Sequence, residues 1–122
     1  MIEARHLSKQ YGDIAAVRDV SFQVGRGEVV GFLGPNGAGK TTTMRMLTGF
    51  IPPTDGTALI AEHDIFEDPI AARRAVGYLP ETLPLYPEMS VRTYLDFVAR
   101  IKDVPRGVLR SSVDRAVERC GL

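Results

Sequence analysis

The residues best suited to chemistry in this chain are consecutive: positions 34–41 read Gly-Pro-Asn-Gly-Ala-Gly-Lys-Thr. Their three glycines allow successive backbone N–H groups to point at a phosphate without Cβ clashes. Lys40 supplies a mobile ammonium for terminal phosphates, and Thr41 supplies a hydroxyl for a magnesium ion. The spacing predicts a loop that binds a nucleoside triphosphate. The structural alternative is a glycine-rich surface turn, which the flanking sequence argues against.

Two predicted elements flank this loop and would position it. The apolar run Glu28–Leu33 predicts a strand that leads into the loop, and Thr42–Leu47 predicts a helix that follows it. The positive end of that helix would add to the field around the phosphates. The helix should end between Gly49 and Pro53, because glycine and two prolines cannot continue it.

The rest of the chain predicts a mixed α/β fold. Alternation and turn residues predict four further strands and three further helices. The predicted strands are Ile2–Leu7, Ala15–Val24, Thr57–Ile60 and Val76–Leu79, with a corner at residues 8–13. The predicted helices begin at Pro69, after Ser90 and after Pro105, and a proline-marked loop spans residues 80–87. Arg73 and Arg74 should lie on a solvated helix face.

Bulk composition limits the classes of partner and compartment. The chain has 122 residues, 44% of them hydrophobic, which is enough to bury a core. Lys plus Arg and Asp plus Glu each count 15, so the net charge is zero and we expect no nucleic-acid partner. The only cysteine, Cys120, should be a small buried hydrophobe in a reducing compartment. Without a leader or a spanning stretch, we expect a soluble, cytoplasmic chain.

The order of these features resembles the ATP-binding subunits of ABC transporters over the whole range 2–122. Tyr11 lies where that family keeps an aromatic residue that stacks on adenine, residues 34–42 match its phosphate loop, and residues 78–81 match the loop that faces magnesium and the membrane partner. The resemblance implies a P-loop NTPase core of the ABC ATPase type, with antiparallel strands and the beginning of a helical subdomain. It implies a nucleotide-binding core portion over residues 1–88 and the start of the helical subdomain over 89–122.

The resemblance also implies the ligands, which are ATP and Mg2+. The nucleotide-binding residues would be Tyr11, Gly34, Pro35, Asn36, Gly37, Ala38, Gly39, Lys40, Thr41 and Thr42. The metal ligands would be Thr41 and Glu81, although most of the family has glutamine at the latter position. For Tyr11 the alternative is a packing residue, and for Glu81 it is a solvated loop carboxylate. His6 and His63 have no cysteine or second histidine at ligand spacing, so we expect hydrogen-bonded or surface side chains.

The partners implied are a second ATPase subunit and a membrane permease, so the resemblance implies a cytoplasmic chain that is peripheral on the inner face of the plasma membrane. The words Gly-Tyr-Leu-Pro-Glu and Pro-Leu-Tyr-Pro-Glu-Met-Ser-Val-Arg are similar to bacterial ABC ATPases that serve ABC-2-type permeases, including gliding-motility and multidrug-type exporters. The family's Walker B acids, Leu-Ser-Gly-Gly-Gln-type signature and switch histidine do not occur in these 122 residues. We therefore expect the N-terminal part of a subunit, without catalytic competence by itself and with no catalytic residue assigned. The alternatives are a soluble non-transport ABC ATPase and a non-hydrolysing nucleotide-binding module.

Overall fold

The computed structural model describes residues 1–83 and 85–122, and these form two compact units, Met1–Tyr78 and Leu79–Leu122. The first unit holds a four-stranded antiparallel sheet in the order β2-β1-β3-β4. Its strands are β1 (Ile2–Tyr11), β2 (Ile14–Val24), β3 (Asp55–Ile60) and β4 (His63–Asp64). The helices are α1 (Lys40–Leu47) and α2 (Pro69–Arg74) in the first unit, and α3 (Val91–Ile101) and α4 (Arg106–Cys120) in the second.

The N-terminal hairpin is longer than the sequence predicts. Residues 8–11, expected in a corner, extend β1, and the turn is reduced to two residues that begin with Gly12 at φ 55°. Strand β1 has one extra residue relative to β2 between Ala4 and Leu7, because Ala4 pairs with Phe22 but Leu7 pairs with Val20. His6 lies in this β-bulge with φ 52°. Both Ala4 and Leu7 are consequently buried, although strand alternation would place residues three apart on opposite faces.

The core of the first unit lies between the sheet and α1. It joins residues from three strands and two helices: Ala4, Leu7, Val17, Met46, Leu47, Ala58, Ile60 and Ala72. Met46 and Leu47 are on the buried face of α1, so the helix that follows the glycine loop is anchored by apolar packing. Arg73 is exposed, as predicted, and its Nη2 donates to the Gly49 carbonyl at 2.8 Å, which links α2 to the end of α1.

The predicted strand Glu28–Leu33 is wrong for this structure. The segment belongs to no sheet, and among the described residues no strand lies beside it to supply ladder hydrogen bonds. Phe32 packs against Phe22 with ring centroids 5.5 Å apart, whereas Val29 and Leu33 are almost fully exposed. Apolar sequence therefore marks the segment as strand-forming, but pairing is absent.

The predicted strand Val76–Leu79 is also wrong, for the same reason: no described strand pairs with it. Within the first unit, the Tyr78 ring instead makes an edge contact with Phe50, with centroids 5.7 Å apart. The predicted proline-marked loop 80–87 carries no helix or strand over its described residues, and Pro84 lies outside them.

The second unit pairs the two predicted helices. Ser90 caps α3 as expected, since its hydroxyl accepts from the Thr93 backbone N–H at 3.2 Å. Arg92 at the start of α3 is paired with Asp114 of α4 at 2.5 Å. The last turn of α4 therefore runs past the beginning of α3, and Cys120 at its end is exposed. The prediction that Cys120 is buried is wrong because the helix outruns its partner.

Over residues 1–83 and 85–122, no helix combines the length and the apolar character needed to cross a membrane.

Candidate functional site

The glycine loop ends where α1 begins. Gly37 and Gly39 adopt left-handed backbone conformations, with φ of 82° and 86°, which are costly for residues that carry a Cβ. Gly39 is the N-cap residue, and no side chain caps the helix. Because the N–H groups in the first turn have no carbonyl one turn earlier in the helix, they are donors available to an anion.

A buried threonine fixes the loop to the helix. Thr43 is 1% exposed, and both its backbone N–H and its hydroxyl donate to the Gly39 carbonyl, at 2.8 and 2.9 Å. The last peptide of the loop is thereby held by two hydrogen bonds from one residue. This role of Thr43 was not predicted, because a hydroxyl directed back at the preceding turn leaves no spacing signal in the sequence.

The loop also packs tightly against the hairpin. A Cβ on Gly39 would lie too close to the Ala16 carbonyl oxygen and only 2.9 Å from Val17 Cγ2. Ordinary carbon contacts are about 3.5–4.0 Å, so this approach of loop to β2 requires glycine. A Cβ on Gly37 would meet nothing within 4 Å. Thus Gly37 is needed for its backbone angles, whereas Gly39 is needed for both angles and space.

The Lys40 side chain crosses the loop that precedes it. Its Nζ donates to the carbonyls of Gly34 and Pro35, at 2.5 and 2.7 Å, and the loop closes on itself through a bond from the Ala38 N–H to the Pro35 carbonyl at 3.2 Å. The loop contains no acidic residue, so its one formal charge is the Lys40 ammonium. The result is a positively charged loop that suits phosphate oxygens.

The remaining loop positions are open to solvent. Pro35, Asn36, Ala38 and Thr41 are exposed, and Thr42 is half-buried. The Thr41 hydroxyl lies on the first turn of α1, directly after Lys40, and a hydroxyl oxygen suits a hard cation such as Mg2+. Thr41 therefore fits as one magnesium ligand beside bound phosphates.

Tyr11 lies at the end of β1, at the tip of the same hairpin. It pairs with Ile14, and two residues further along β2 the Ala16 carbonyl lies against Gly39. Tyr11 is 48% exposed, which leaves ring surface available. The hairpin thus supports both the predicted aromatic residue and the glycine loop.

A lysine that was not predicted as a site residue is next to this ring. Lys9 Nζ lies over Tyr11, 5.3 Å from the ring centroid, and donates to the Pro52 carbonyl at 2.7 Å. Residues at i and i+2 on a strand share a face, so the two-residue spacing of Lys9 and Tyr11 was the sequence signal that could have predicted this contact.

Glu81 belongs to the second unit and is exposed. Its assignment as a second magnesium ligand stays a prediction. Among the described residues there is no group of three or more His, Cys, Asp or Glu side chains that could hold a metal ion.

The two histidines are exposed, as the sequence predicts, and each lies beside one carboxylate. His6 Nδ1 lies 2.6 Å from Asp19 Oδ1, and His63 Nδ1 lies 3.2 Å from Asp68 Oδ2. Both pairs are at least partly exposed, and each is a single His–carboxylate contact.

Comparison with known proteins decides the family. A family model described as "ABC transporter" matches residues 17–122, a range that begins within β2 and includes the whole glycine loop. The chain belongs to the ABC transporter family. The Probable multidrug ABC transporter ATP-binding protein YbhF of Escherichia coli (strain K12) is 39% identical over 122 residues, covering 100% of this chain and 21% of that protein.

Other ABC transporter proteins give the same picture. The Lipopolysaccharide export system ATP-binding protein LptB of Escherichia coli (strain K12) is 43% identical over 104 residues, 84% of this chain and 43% of that protein. A solved ATP binding subunit of an ABC transporter has 34% identity and a TM-score of 0.78, over 88% of this chain and 45% of its own. The dimeric ATP-binding cassette MJ0796 bound to ADP and Pi, at 21% identity and TM-score 0.82, shares the fold; the match covers 100% of this chain and 58% of that one. The chain spans less than half the length of these curated relatives.

Proposed function

We propose that this chain binds Mg-ATP at residues 34–42, and that the whole protein hydrolyses ATP to power transport across a membrane. The observation that carries the proposal is the Lys40 ammonium lying across a loop of left-handed glycines at the start of α1. Backbone donors, a helix N-terminus and a cation then act on the same phosphate chain. These three contributions are of the kind that phosphoryl-transfer enzymes combine.

Each loop residue has a physical task in this proposal. Gly37 and Gly39 shape the backbone so that N–H groups meet phosphate oxygens, and Lys40 donates to the terminal phosphates. Thr41 offers its hydroxyl to magnesium, and Glu81 is proposed as a second ligand because it matches the family's magnesium-facing loop. When bound, magnesium would neutralise the charge that develops on the phosphate oxygens during transfer.

Tyr11 is the proposed base platform. Stacking of adenine on an aromatic ring is worth about 1–3 kcal/mol and accepts any base face. The 48% exposure of Tyr11 and its place on the hairpin that supports Gly39 both favour this role over internal packing. ATP rather than another triphosphate is proposed from the family.

The partners of the whole protein are proposed from its relatives. We propose two such ATPase subunits together, attached from the cytoplasm to an ABC-2-type permease on the inner face of the plasma membrane. YbhF is named as a multidrug transporter protein and LptB as a lipopolysaccharide export protein, and the MJ0796 cassette was solved as a dimer. The nucleotide-binding portion would comprise residues 1–88, and the beginning of the helical subdomain residues 89–122.

The test is nucleotide binding by the full-length protein with and without magnesium, using a fluorescent ATP analogue, with phosphate release followed in the same samples. Lys40→Ala removes charge-assisted hydrogen bonds worth about 1.5–3 kcal/mol, so we expect an affinity loss of roughly tenfold to hundredfold. Lys102→Ala is the matched control, because Lys102 is an exposed lysine at the end of α3. Equal affinity of the Lys40→Ala variant and the unaltered protein would refute the site. Normal binding without turnover would instead identify a non-hydrolysing module, and turnover without a permease in a membrane pull-down would identify a soluble ABC ATPase.

A further inference from the structure

The Lys9 ammonium is held between two partners of different kinds. It lies 5.3 Å from the centroid of the Tyr11 ring, within the range of about 6 Å over which a cation is attracted to an aromatic face. It also donates to the Pro52 carbonyl at 2.7 Å. A lysine side chain is flexible by nature, so two simultaneous contacts restrict both its position and that of the ring.

The Pro52 carbonyl is itself fixed to the strand that carries the ring. Two residues along from it, the Thr54 N–H donates to the Ser8 carbonyl at 2.8 Å, and the Thr54 hydroxyl accepts from the Gln10 N–H at 3.0 Å. The acceptor, the lysine and the tyrosine are therefore parts of one hydrogen-bonded assembly. Since that assembly anchors the ammonium, the ammonium can orient an otherwise half-exposed ring.

We infer that Lys9 is a positioning residue for the nucleotide base. It occupies one face of the Tyr11 ring and fixes the ring's orientation, so that a purine stacks on the opposite face. This inference rests on the proposed function, in which Tyr11 is the base platform. It adds a base-recognition residue that touches the ring and not the nucleotide.

The inference separates base binding from phosphate binding. Lys9 should affect ligands that carry a purine and leave the binding of the phosphate chain alone, because the proposed phosphate site is the Lys40 loop, whose contacts with the Gly34 and Pro35 carbonyls do not involve Lys9. Its effect should also vanish when the ring is removed. A merely structural lysine that stabilised the hairpin would weaken both kinds of ligand and would do so with or without Tyr11.

The experiment compares two probes on the full-length protein in the presence of magnesium: a fluorescent ATP analogue and inorganic tripolyphosphate, which competes for the loop but has no base. Lys9→Met keeps the length and apolar stem of the side chain and removes its charge; Lys102→Met is the matched control. A cation–π contact of about 0.5–1 kcal/mol corresponds to a two- to fivefold change, so we expect the analogue to bind about two- to fivefold more weakly. Tripolyphosphate affinity should not change.

The same substitution in a Tyr11→Ala background decides the mechanism. We expect no further loss of analogue affinity there, and a thermal unfolding scan of each variant checks that the fold is retained. Equal weakening of tripolyphosphate, or an undiminished loss in the Tyr11→Ala background, would overturn the inference. Tighter analogue binding by Lys9→Met would also overturn it, because the base would then need the face that Lys9 covers. Lys40-dependent binding that ignores Tyr11 would reject the base platform and leave phosphate binding intact, whereas Lys40-independent binding would reject the proposed function itself.

Discussion

Replacing Gly39 with alanine should damage the protein more than replacing Gly37, although both glycines have nearly the same backbone conformation. Their φ angles are 86° and 82°, so placing alanine in this left-handed conformation destabilises the fold by about 1–2 kcal/mol at either position. Only at Gly39 does the new Cβ meet atoms, namely the Ala16 carbonyl oxygen and Val17 Cγ2. Gly37→Ala is therefore a matched control that carries the conformational cost alone.

The size of the difference follows from the packing. The contact with Val17 Cγ2 at 2.9 Å is well inside ordinary carbon separation, and the other neighbour is backbone that cannot rotate away. Overpacking of this kind costs about 1–3 kcal/mol, because β2 or the loop must shift. We expect the Gly39→Ala variant to be about 1–3 kcal/mol less stable than the Gly37→Ala variant. Movement of the loop should also lower ATP affinity, through the peptide that Thr43 holds.

The assay is urea denaturation of both variants and the unaltered protein without nucleotide, followed by titration with the ATP analogue. Measuring stability in the absence of ligand keeps the packing argument independent of the proposed function. Equal free energies of unfolding for the two variants, or a lower value for Gly37→Ala, would show that the close approach of loop and β2 does not constrain position 39. A change in denaturant slope would mean that the unfolded states differ, and the comparison would then use thermal unfolding.

Two further predictions concern a metal and a pH dependence. Glu81→Gln should keep ATP affinity with magnesium and improve it without magnesium. The reason is that a carboxylate about 5 Å from a phosphate charge is repelled by about 3 kcal/mol at an effective dielectric of 20. ATP titrations with and without EDTA that show the same magnesium dependence in both proteins would contradict this prediction. Burial raises the pKa of Asp64, but hydrogen bonds from the backbone N–H groups of Phe66 and Glu67 and from the Thr57 hydroxyl outweigh it, and the net pKa lies below the ordinary value. The charged form therefore stabilises the fold above the unfolded-state pKa of about 3.9, and this contribution is lost as pH falls through the lower folded-state value. Urea titrations should show Asp64→Asn less stable by about 1 kcal/mol near neutral pH, with the gap closing below about pH 4; a gap that is constant with pH would contradict the assignment.

The parts of the fold that the sequence predicts are those with local causes. Ser90 at an N-cap, Pro69 in a first turn and the amphipathic stretch after Pro105 each identify a helix from neighbouring residues. The glycine loop is predictable for the same reason: eight consecutive residues, 34–41, indicate both its backbone conformation and the start of the helix that follows.

The parts that were missed depend on partners elsewhere in the chain or on extra residues within a strand. Glu28–Leu33 has strand-forming side chains, but a strand exists only when a neighbour supplies hydrogen bonds. The exposure of Cys120 follows from the relative lengths of two helices, which no single helix pattern reveals. The Lys9 contact with Tyr11 involves Pro52, forty-three positions away from the lysine.

The bulge at His6 has a consequence for comparing this chain with its relatives. One extra residue between Ala4 and Leu7 reverses the parity of β1, so Leu7 lies on the face opposite to the one that counting from Ile2 would give, and two further register shifts follow on either side of Lys9. The face on which Tyr11 lies therefore depends on the strand register upstream, beginning with the bulge at His6. A relative with an aromatic residue at the same distance from its glycine loop, but without the extra residue, would match in an alignment and present that ring on the other side of the sheet. Equivalence of the aromatic position between ABC proteins should accordingly be judged from the strand register upstream, and a one-residue gap near His6 deserves more weight than a substitution at Tyr11 itself.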